Sequence, residues 1–330
     1  MRIGCLGAAN IAAAALIDPS KVRGGAVLQA IAARDPARAR VFAERHGFVR
    51  IADDYEALVT APDIDLVYNA LPINLHAEWS IRALEAGKHV LCEKPFAMNS
   101  EEAKAVLAAA ETSGKRVIEA FHYRYHPGFR QMIDWIQTGK IGSISTIIAN
   151  FHIGIPFTGS TQIRHMPETG GGAFMDLGCY PLSWALTIMG IVPSRVTAEA
   201  TLTPRGVDEA LRAILVFDGG ARAELSACMT VGEPFSANLT VTGSRGEIRF
   251  VNPLAPHGGA SLSVDTGEHL HTVPLSRIST YTYQLDSVLE ALESCEPLPT
   301  EGEAVLRPQC TLDAIYEAAG LQHLRFRTAA

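Results

Sequence analysis

Three clusters pair residue type with spacing in a way that could support chemistry. The first is Gly4-Cys5-Leu6-Gly7-Ala8-Ala9-Asn10-Ile11-Ala12, which reads as a strand, a tight turn and the start of a helix. Small side chains let such a backbone approach phosphates, and the free N–H groups and positive dipole end of a helix N-terminus suit a dinucleotide pyrophosphate. Read as G-x-G-x-x-G from Gly7, the segment has Ala9 and Ala12 for the second and third glycines, so it also reads as a plain tight turn. The next strand ends in Ala33-Arg34-Asp35. An acidic residue there holds the ribose 2′-hydroxyl of NAD, whereas a guanidinium can pair with the 2′-phosphate of NADP. Arg34 therefore points to NADP, with Arg38 as a second partner, while Asp35 keeps NAD open and a solvated helix face is the plain alternative.

The second cluster is Leu91-Cys92-Glu93-Lys94-Pro95, at the carboxyl end of an expected strand. Ligands bind at that edge in open α/β sheets. A lysine near a reacting hydroxyl orients it and lowers the pKa of a neighbouring acid/base group; a surface charge is the alternative. The third is the run Gly170-Gly171-Gly172-Ala173-Phe174-Met175-Asp176-Leu177-Gly178-Cys179-Tyr180-Pro181. On a helix, Asp176 and Tyr180 share a face, with the tyrosine as proton donor or acceptor. The commoner role for such a tyrosine is a core aromatic with a backbone partner.

The elements that must position these clusters follow from periodicity. Short apolar runs at Arg2–Leu6, Val27–Ala33, Leu66–Leu71, His89–Cys92 and Arg116–Ala120 alternate with amphipathic stretches at Pro36–Arg45, His76–Ala86 and Ser100–Ser113. That rhythm predicts βαβ units in a doubly wound parallel sheet over 1–122, with Gly87 and Gly114 as helix stops. From 123 on, alternating strands are expected at Ser143–His152, Arg195–Thr203, Leu211–Phe217, Ala221–Met229, Ala237–Thr242 and Glu247–Phe250. Hairpin signals at Asp218-Gly219-Gly220 and Gly243-Ser244-Arg245-Gly246 predict an α+β domain over 123–330 with an open, mostly antiparallel sheet. Tyr283–Ser294 and Gly302–Leu324 read as helices, one of them able to fold back on the first domain.

Composition narrows the function classes. The chain has 330 residues, 48% hydrophobic and 19% charged, enough for two domains and for cores that need no metal or disulfide staple. Its longest wholly apolar stretch, Ile11–Ile17, falls far short of the roughly 20 residues that span a membrane. Met1-Arg2 runs straight into a strand-like segment, so no secretory signal and a cytoplasmic location are expected. Six scattered cysteines without a CxxC pair read as reduced thiols in packed positions. A net charge of −7 without a basic cluster argues against nucleic acid and for a small-molecule partner.

Together these motifs make the chain resemble the glucose–fructose oxidoreductase, inositol dehydrogenase and rhizopine-catabolism (Gfo/Idh/MocA) family. The resemblance runs from the Gly4–Ala12 turn through Asn69-Ala70-Leu71-Pro72 with His76, Ala86-Gly87-Lys88-His89-Val90-Leu91-Cys92-Glu93-Lys94-Pro95, Ile118-Glu119-Ala120-Phe121, and the Gly170–Pro181 run. It implies that Gly7, Ala8, Ala9, Asn10, Ile11, Arg34, Arg38, Leu71, Pro72, His76, Glu93 and Lys94 contact the cofactor, that Lys94 is the catalytic-site lysine and that Asp176 lies beside the substrate. Tyr180 stands where many members carry histidine. With Glu119-Ala120, Arg124 and Arg164 it is most similar to the branch of D-xylose dehydrogenases, dimeric dihydrodiol dehydrogenases and glucose–fructose oxidoreductase, which uses NADP. The resemblance also implies a homodimer or higher homo-oligomer through the second domain's sheet.

Residues and resemblance together point to an NADP-dependent dehydrogenase or reductase that transfers a hydride between the nicotinamide and a carbinol carbon of a sugar, such as an aldose, or a cyclic diol. Lys94, Tyr180 and Asp176 are its catalytic group; Arg164 adds to the substrate contacts, with His76 a weaker candidate for the cleft. Three alternatives stand beside it: a non-catalytic NADP-binding sensor, an NAD-dependent inositol or polyol dehydrogenase, and a metal-dependent hydrolase using His122 and His126. Pro127 and the lack of an HExxH glutamate argue against the last, and no metal is expected. Substrate choice is expected to depend on loops such as Phe151–Gln162.

Overall fold

The computed structural model describes residues 1–159 and 162–326. The chain divides into two compact units, Met1–Arg124 with Ser279–Leu306, and Tyr125–Ile278 with the residues from Arg307 on. This differs from a single cut after residue 122. The segment Ser279–Leu306 returns to the first unit because Leu285, Val288 and Leu289 bury against the same core as Ile3, Cys5 and Ile31.

The first unit is a six-stranded parallel sheet of β1 (Arg2–Leu6), β2 (Val27–Ala32), β3 (Arg50–Ile51), β4 (Leu66–Asn69), β5 (His89–Cys92) and β6 (Val117–Glu119), in the order β3-β2-β1-β4-β5-β6. Its central strands are apolar on both faces, as a parallel sheet covered by helices requires. Leu6, Ala32, Val67 and Val90 pack with Ala83, Leu84, Ala103 and Val106 on one face, while Ile3, Cys5, Leu66 and Leu91 join the other. The helices are α1 (Asn10–Ala12), continued by a π-helical turn at Ala13–Ile17 into α2 (Asp18–Val22), then α3 (Pro36–His46), α4 (Tyr55–Val59), α5 (His76–Glu85) and α6 (Ser100–Ser113). Asn99 caps α6 by accepting from the Glu102 N–H at 2.9 Å, and Gly114 ends it at φ +65°. Later in the chain, α9 (Thr280–Ser294) covers the Cys5 face.

The second unit is an eight-stranded sheet of β7 (Ile144–His152), β8 (Arg195–Leu202), β9 (Asp208–Val216), β10 (Arg222–Cys228), β11 (Ser236–Gly243), β12 (Gly246–Val251), β13 (Ser261–Asp265) and β14 (Leu270–Val273), in the order β14-β13-β12-β11-β7-β10-β9-β8. Every pairing is antiparallel except β7 with β10. Burial alternates along the strands, with Ala223, Leu225 and Ala227 inward on β10, and both expected hairpins form. The strands β13 and β14 extend the sheet beyond the expected set; Ser, Thr and His give them a weak apolar period, and Leu270 is exposed on the edge strand. The helices are α7 (Pro127–Gln137), α8 (Cys179–Met189) and α10 (Glu303–Ala318), the last starting in the first unit. All six cysteines are free, and Cys295 is exposed at the end of α9 rather than packed. Among the described residues no helix is long and apolar enough to cross a membrane.

Candidate active site

In the first unit the turn after β1 depends on one glycine. Gly7 sits at φ +93° and donates its N–H to the Ala32 carbonyl at 2.8 Å, and a Cβ at this position would lie only 3.1 Å from the Ala70 oxygen. Ala9 has φ −82° and ψ 143°, a conformation open to any L residue, so alanine replaces the fingerprint glycine there without strain. Ala12 is fully buried in the core. Asn10 and Ile11 are exposed at the start of the helical run, where the first N–H groups have no partner within the helix. These features fit a pyrophosphate.

At the end of β2 the two charged candidates separate. Asp35 is the N-cap of α3, its Oδ1 accepting from the Ala37 N–H at 2.9 Å, so its carboxylate serves the helix. Arg34 is exposed and makes no ion pair among the described residues, which leaves its guanidinium open to a phosphate. Arg38 does something else: its Nη2 donates to the Ala8 carbonyl at 2.8 Å and braces the phosphate turn from behind.

The loops after β4 and β5 are tied together. His76 is 1% exposed, with Nδ1 2.9 Å from the Pro95 oxygen and Nε2 2.8 Å from the Leu71 oxygen. Burial pushes its pKa down to about 4 against the raising effect of those carbonyls, so the ring is neutral at pH 7 and donates to one of them. His76 thus acts as a strut between Leu71-Pro72 and Lys94-Pro95 rather than as a wall open to ligand. Glu93 is buried and accepts from the Tyr68 hydroxyl at 2.6 Å, while Lys94 is half-buried and joined to Pro95 by a cis peptide.

In the second unit Arg164 gathers the third cluster. Its Nε donates to Asp176 Oδ2 at 2.5 Å, and Asp176 and Tyr180 together hold its pKa above the usual arginine value. Asp176 lies in a π-helical turn, Phe174–Gly178, that leads into α8, and Tyr180 in the first turn of α8. The tyrosine is 5% exposed, packed edge-on against Phe151 with ring centroids 5.8 Å apart. The triple glycine permits this assembly. A side chain on Gly171 would overlap the Arg164 carbonyl, and one on Gly172, at φ +133°, would overlap Asp208 and the Tyr316 hydroxyl. Ser160 and Thr161, within the loop expected to govern substrate choice, lie outside the described residues.

A buried carboxylate that local sequence patterning does not reveal anchors this helix. Asp208, fully buried at the start of β9, accepts from the Phe174 N–H at 2.6 Å and from the Tyr316 hydroxyl at 2.7 Å. Its sequence signal is an acidic pair, Asp208-Glu209, opening a strand, which says nothing about a partner 34 positions away. The two histidines weighed for metal have other partners, one a backbone N–H and one a side-chain hydroxyl. His126 Nδ1 accepts from the Gly128 N–H at 3.0 Å to cap α7, and His122 Nδ1 is 2.8 Å from the Thr280 hydroxyl.

The comparisons with known proteins agree with this arrangement. Residues 1–121 match the oxidoreductase family with an NAD-binding Rossmann fold, and residues 129–249 match the GFO/IDH/MocA C-terminal domain. The chain is 33% identical to D-xylose 1-dehydrogenase (NADP(+)) 2 of Haloferax volcanii over 97% of each protein. It is 34% identical to trans-1,2-dihydrobenzene-1,2-diol dehydrogenase of Xenopus laevis over 67% of this chain and 66% of that one. A 3-ketoreductase from Actinomadura kijaniata, solved with NADP and TDP-benzene, superposes with a TM-score of 0.85 at 29% identity, covering 97% of this chain and 98% of the other. The chain is an NAD(P)-dependent oxidoreductase. It belongs to the Gfo/Idh/MocA family.

Proposed function

We propose that this chain is an NADP-dependent dehydrogenase that oxidises, or in reverse regenerates, a carbinol carbon of an aldose or a related cyclic diol. The observation that carries the cofactor choice is the division of labour at the end of β2: Asp35 is committed to capping α3 while Arg34 stays exposed and open to the 2′-phosphate. The substrate class rests on the relatives that act on D-xylose and on a benzene dihydrodiol.

Bound NADP supplies nicotinamide C4 as the acceptor or donor of the hydride. In the chain, Gly7, Ala8, Ala9, Asn10 and Ile11 receive the pyrophosphate, and Arg34 receives the ribose phosphate. Leu71, Pro72 and Glu93 belong to the two loops that His76 ties together beside it. On oxidation the carbinol O–H would give its proton to the Tyr180 phenolic oxygen, which must be the phenolate to accept it. An ordinary tyrosine has a pKa near 10, so Lys94 is assigned as the cation that stabilises the phenolate and hydrogen-bonds the reacting oxygen. Asp176, fixed by Arg164, orients the neighbouring hydroxyls. A homo-oligomer contact is assigned to the outer face of the second sheet, where Ile148 is exposed.

The experiment is the initial rate of nicotinamide reduction with NADP and, in parallel, NAD across aldoses, inositols and trans-dihydrodiols. Turnover with NADP on an aldose or diol is the expected result. Turnover with NAD alone on an inositol overturns the cofactor and substrate choice, and silence on the whole panel with tight NADP binding favours the sensor alternative.

A further inference from the structure

Beside the strand that leads into Lys94 lies a carboxyl that the mechanism above does not use. Glu119 ends β6 and pairs in register with Cys92 at the end of β5, two positions before Lys94. The side chain is 1% exposed. Its Oε1 accepts the Phe96 N–H at 3.0 Å, so it grips the turn Lys94-Pro95-Phe96 from below. Its Oε2 is buried without a hydrogen-bond partner among the described residues. A sealed polar atom of this kind is costly and calls for a physical reason.

We propose that Glu119 is a positioning residue for Lys94, holding its turn through Phe96 and offering the sealed second oxygen as the acceptor for the Lys94 ammonium. The charged and titratable groups around it are Cys92, Glu93 and Lys94 from the β5 end and Arg124 from the short 3-10 turn at His122–Tyr125. From the segment before α10, the Thr300 carbonyl accepts the Glu119 backbone N–H. Burial raises the carboxyl to about 8; Glu93 adds to this, and the Phe96 N–H, Arg124 and Lys94 oppose it. Below that pH the carboxyl is protonated, and above it the carboxylate becomes the counter-charge that keeps Lys94 an ammonium and fixes its direction.

This inference rests on the assignment of Lys94 in the proposed function, and its test separates the two. Glu119→Gln keeps an acceptor for Phe96 and removes the charge. Its kcat for the best carbinol substrate should fall about tenfold to a hundredfold, with NADP affinity unchanged within about twofold. The rise of kcat/KM through pH 8 expected of the parent enzyme should disappear. As a readout independent of turnover, lysines are reductively ¹³C-methylated and the resonance missing in Lys94→Ala is titrated. Its pKa should be lower in Glu119→Gln than in the parent, and a Glu119→Asp variant should restore part of the shift. Parent-like kcat, pH profile and Lys94 titration in Glu119→Gln overturn the inference. Full turnover in Lys94→Ala overturns the proposed function instead.

Discussion

Arg164 and Asp176 form an ion pair, Nε to Oδ2 at 2.5 Å, in which the carboxylate is the more buried partner, 16% exposed against 40% for the arginine. The pair joins a short turn of the loop region to the helix that carries Tyr180. Losing either member takes from a partly buried charge its partner in this ion pair. Arg164→Ala and Asp176→Asn should each lower kcat/KM for the carbinol substrate by about ten- to a hundredfold while leaving NADP affinity within about twofold. Steady-state kinetics with cofactor titration checks this, and a matching loss of NADP affinity would move the pair to the cofactor side.

The two residues after Ala33 should separate in their effects. Arg34→Ala is expected to weaken NADP at least about tenfold and NAD hardly at all, because only the 2′-phosphate needs the guanidinium. Asp35→Ala should cost about 1 kcal/mol of stability through loss of the α3 cap and leave the NADP to NAD preference in place. Calorimetric binding of both nucleotides with thermal unfolding distinguishes these outcomes. Equal losses for the two nucleotides in Arg34→Ala contradict the assignment.

His76 couples two loops and stability to pH. The folded chain refuses its proton until about pH 4, whereas an unfolded histidine takes one up near 6.5. In that window the unfolded state binds more protons, so the stability contributed by His76 falls as pH drops from 6.5 to 4. His76→Phe should be destabilised by at least about 1 kcal/mol at pH 7, where the Leu71 and Pro95 carbonyls lose their shared ring, and should show a shallower acid loss than the parent. Denaturant melts at pH 7 and pH 4.5 measure both effects.

Asp208 gives the opposite slope. Burial raises its carboxyl to about 6 from 3.8, against the Phe174 N–H and the Tyr316 hydroxyl, which lower it. Between those values the folded chain binds more protons here than the unfolded chain, so stability contributed at this position falls as pH rises from about 4 to 6. Asp208→Asn removes that dependence, and the melting temperature of the parent relative to the variant should decline across the window. Parallel curves for the two proteins contradict the protonation of Asp208.

Five strands of the first sheet are legible in the sequence because each is a short apolar run bounded by a turn or cap, while the two-residue β3, Arg50–Ile51, carries no such run; the helix Ser100–Ser113 forms residue for residue between Asn99 and Gly114. Strands β13 and β14 are not, since β13 carries only two buried apolar residues, Leu262 and Val264, and β14 lies at the sheet edge, where little apolar surface is needed. Lys94, Asp176 and Tyr180 stand out from local motifs. The roles of Arg38, His76, Glu119 and Asp208 do not, because each depends on a backbone partner distant in the chain: the Ala8 carbonyl for Arg38, the Pro95 carbonyl for His76, the Phe96 N–H for Glu119 and the Phe174 N–H for Asp208. Local patterning records which residues are polar or apolar, not which distant backbone group a folded loop brings to them.

Whether Tyr180 accepts the proton, with Lys94 as its supporting cation, in an NADP-dependent carbinol oxidation is decided by single-turnover nicotinamide reduction. The parent, Tyr180→Phe and Lys94→Ala are each saturated with NADP and with the best substrate of the panel. Both variants should bind NADP and reduce it at least about a hundredfold more slowly than the parent. Reduction at the parent rate in both variants would remove Tyr180 and Lys94 from the proton transfer.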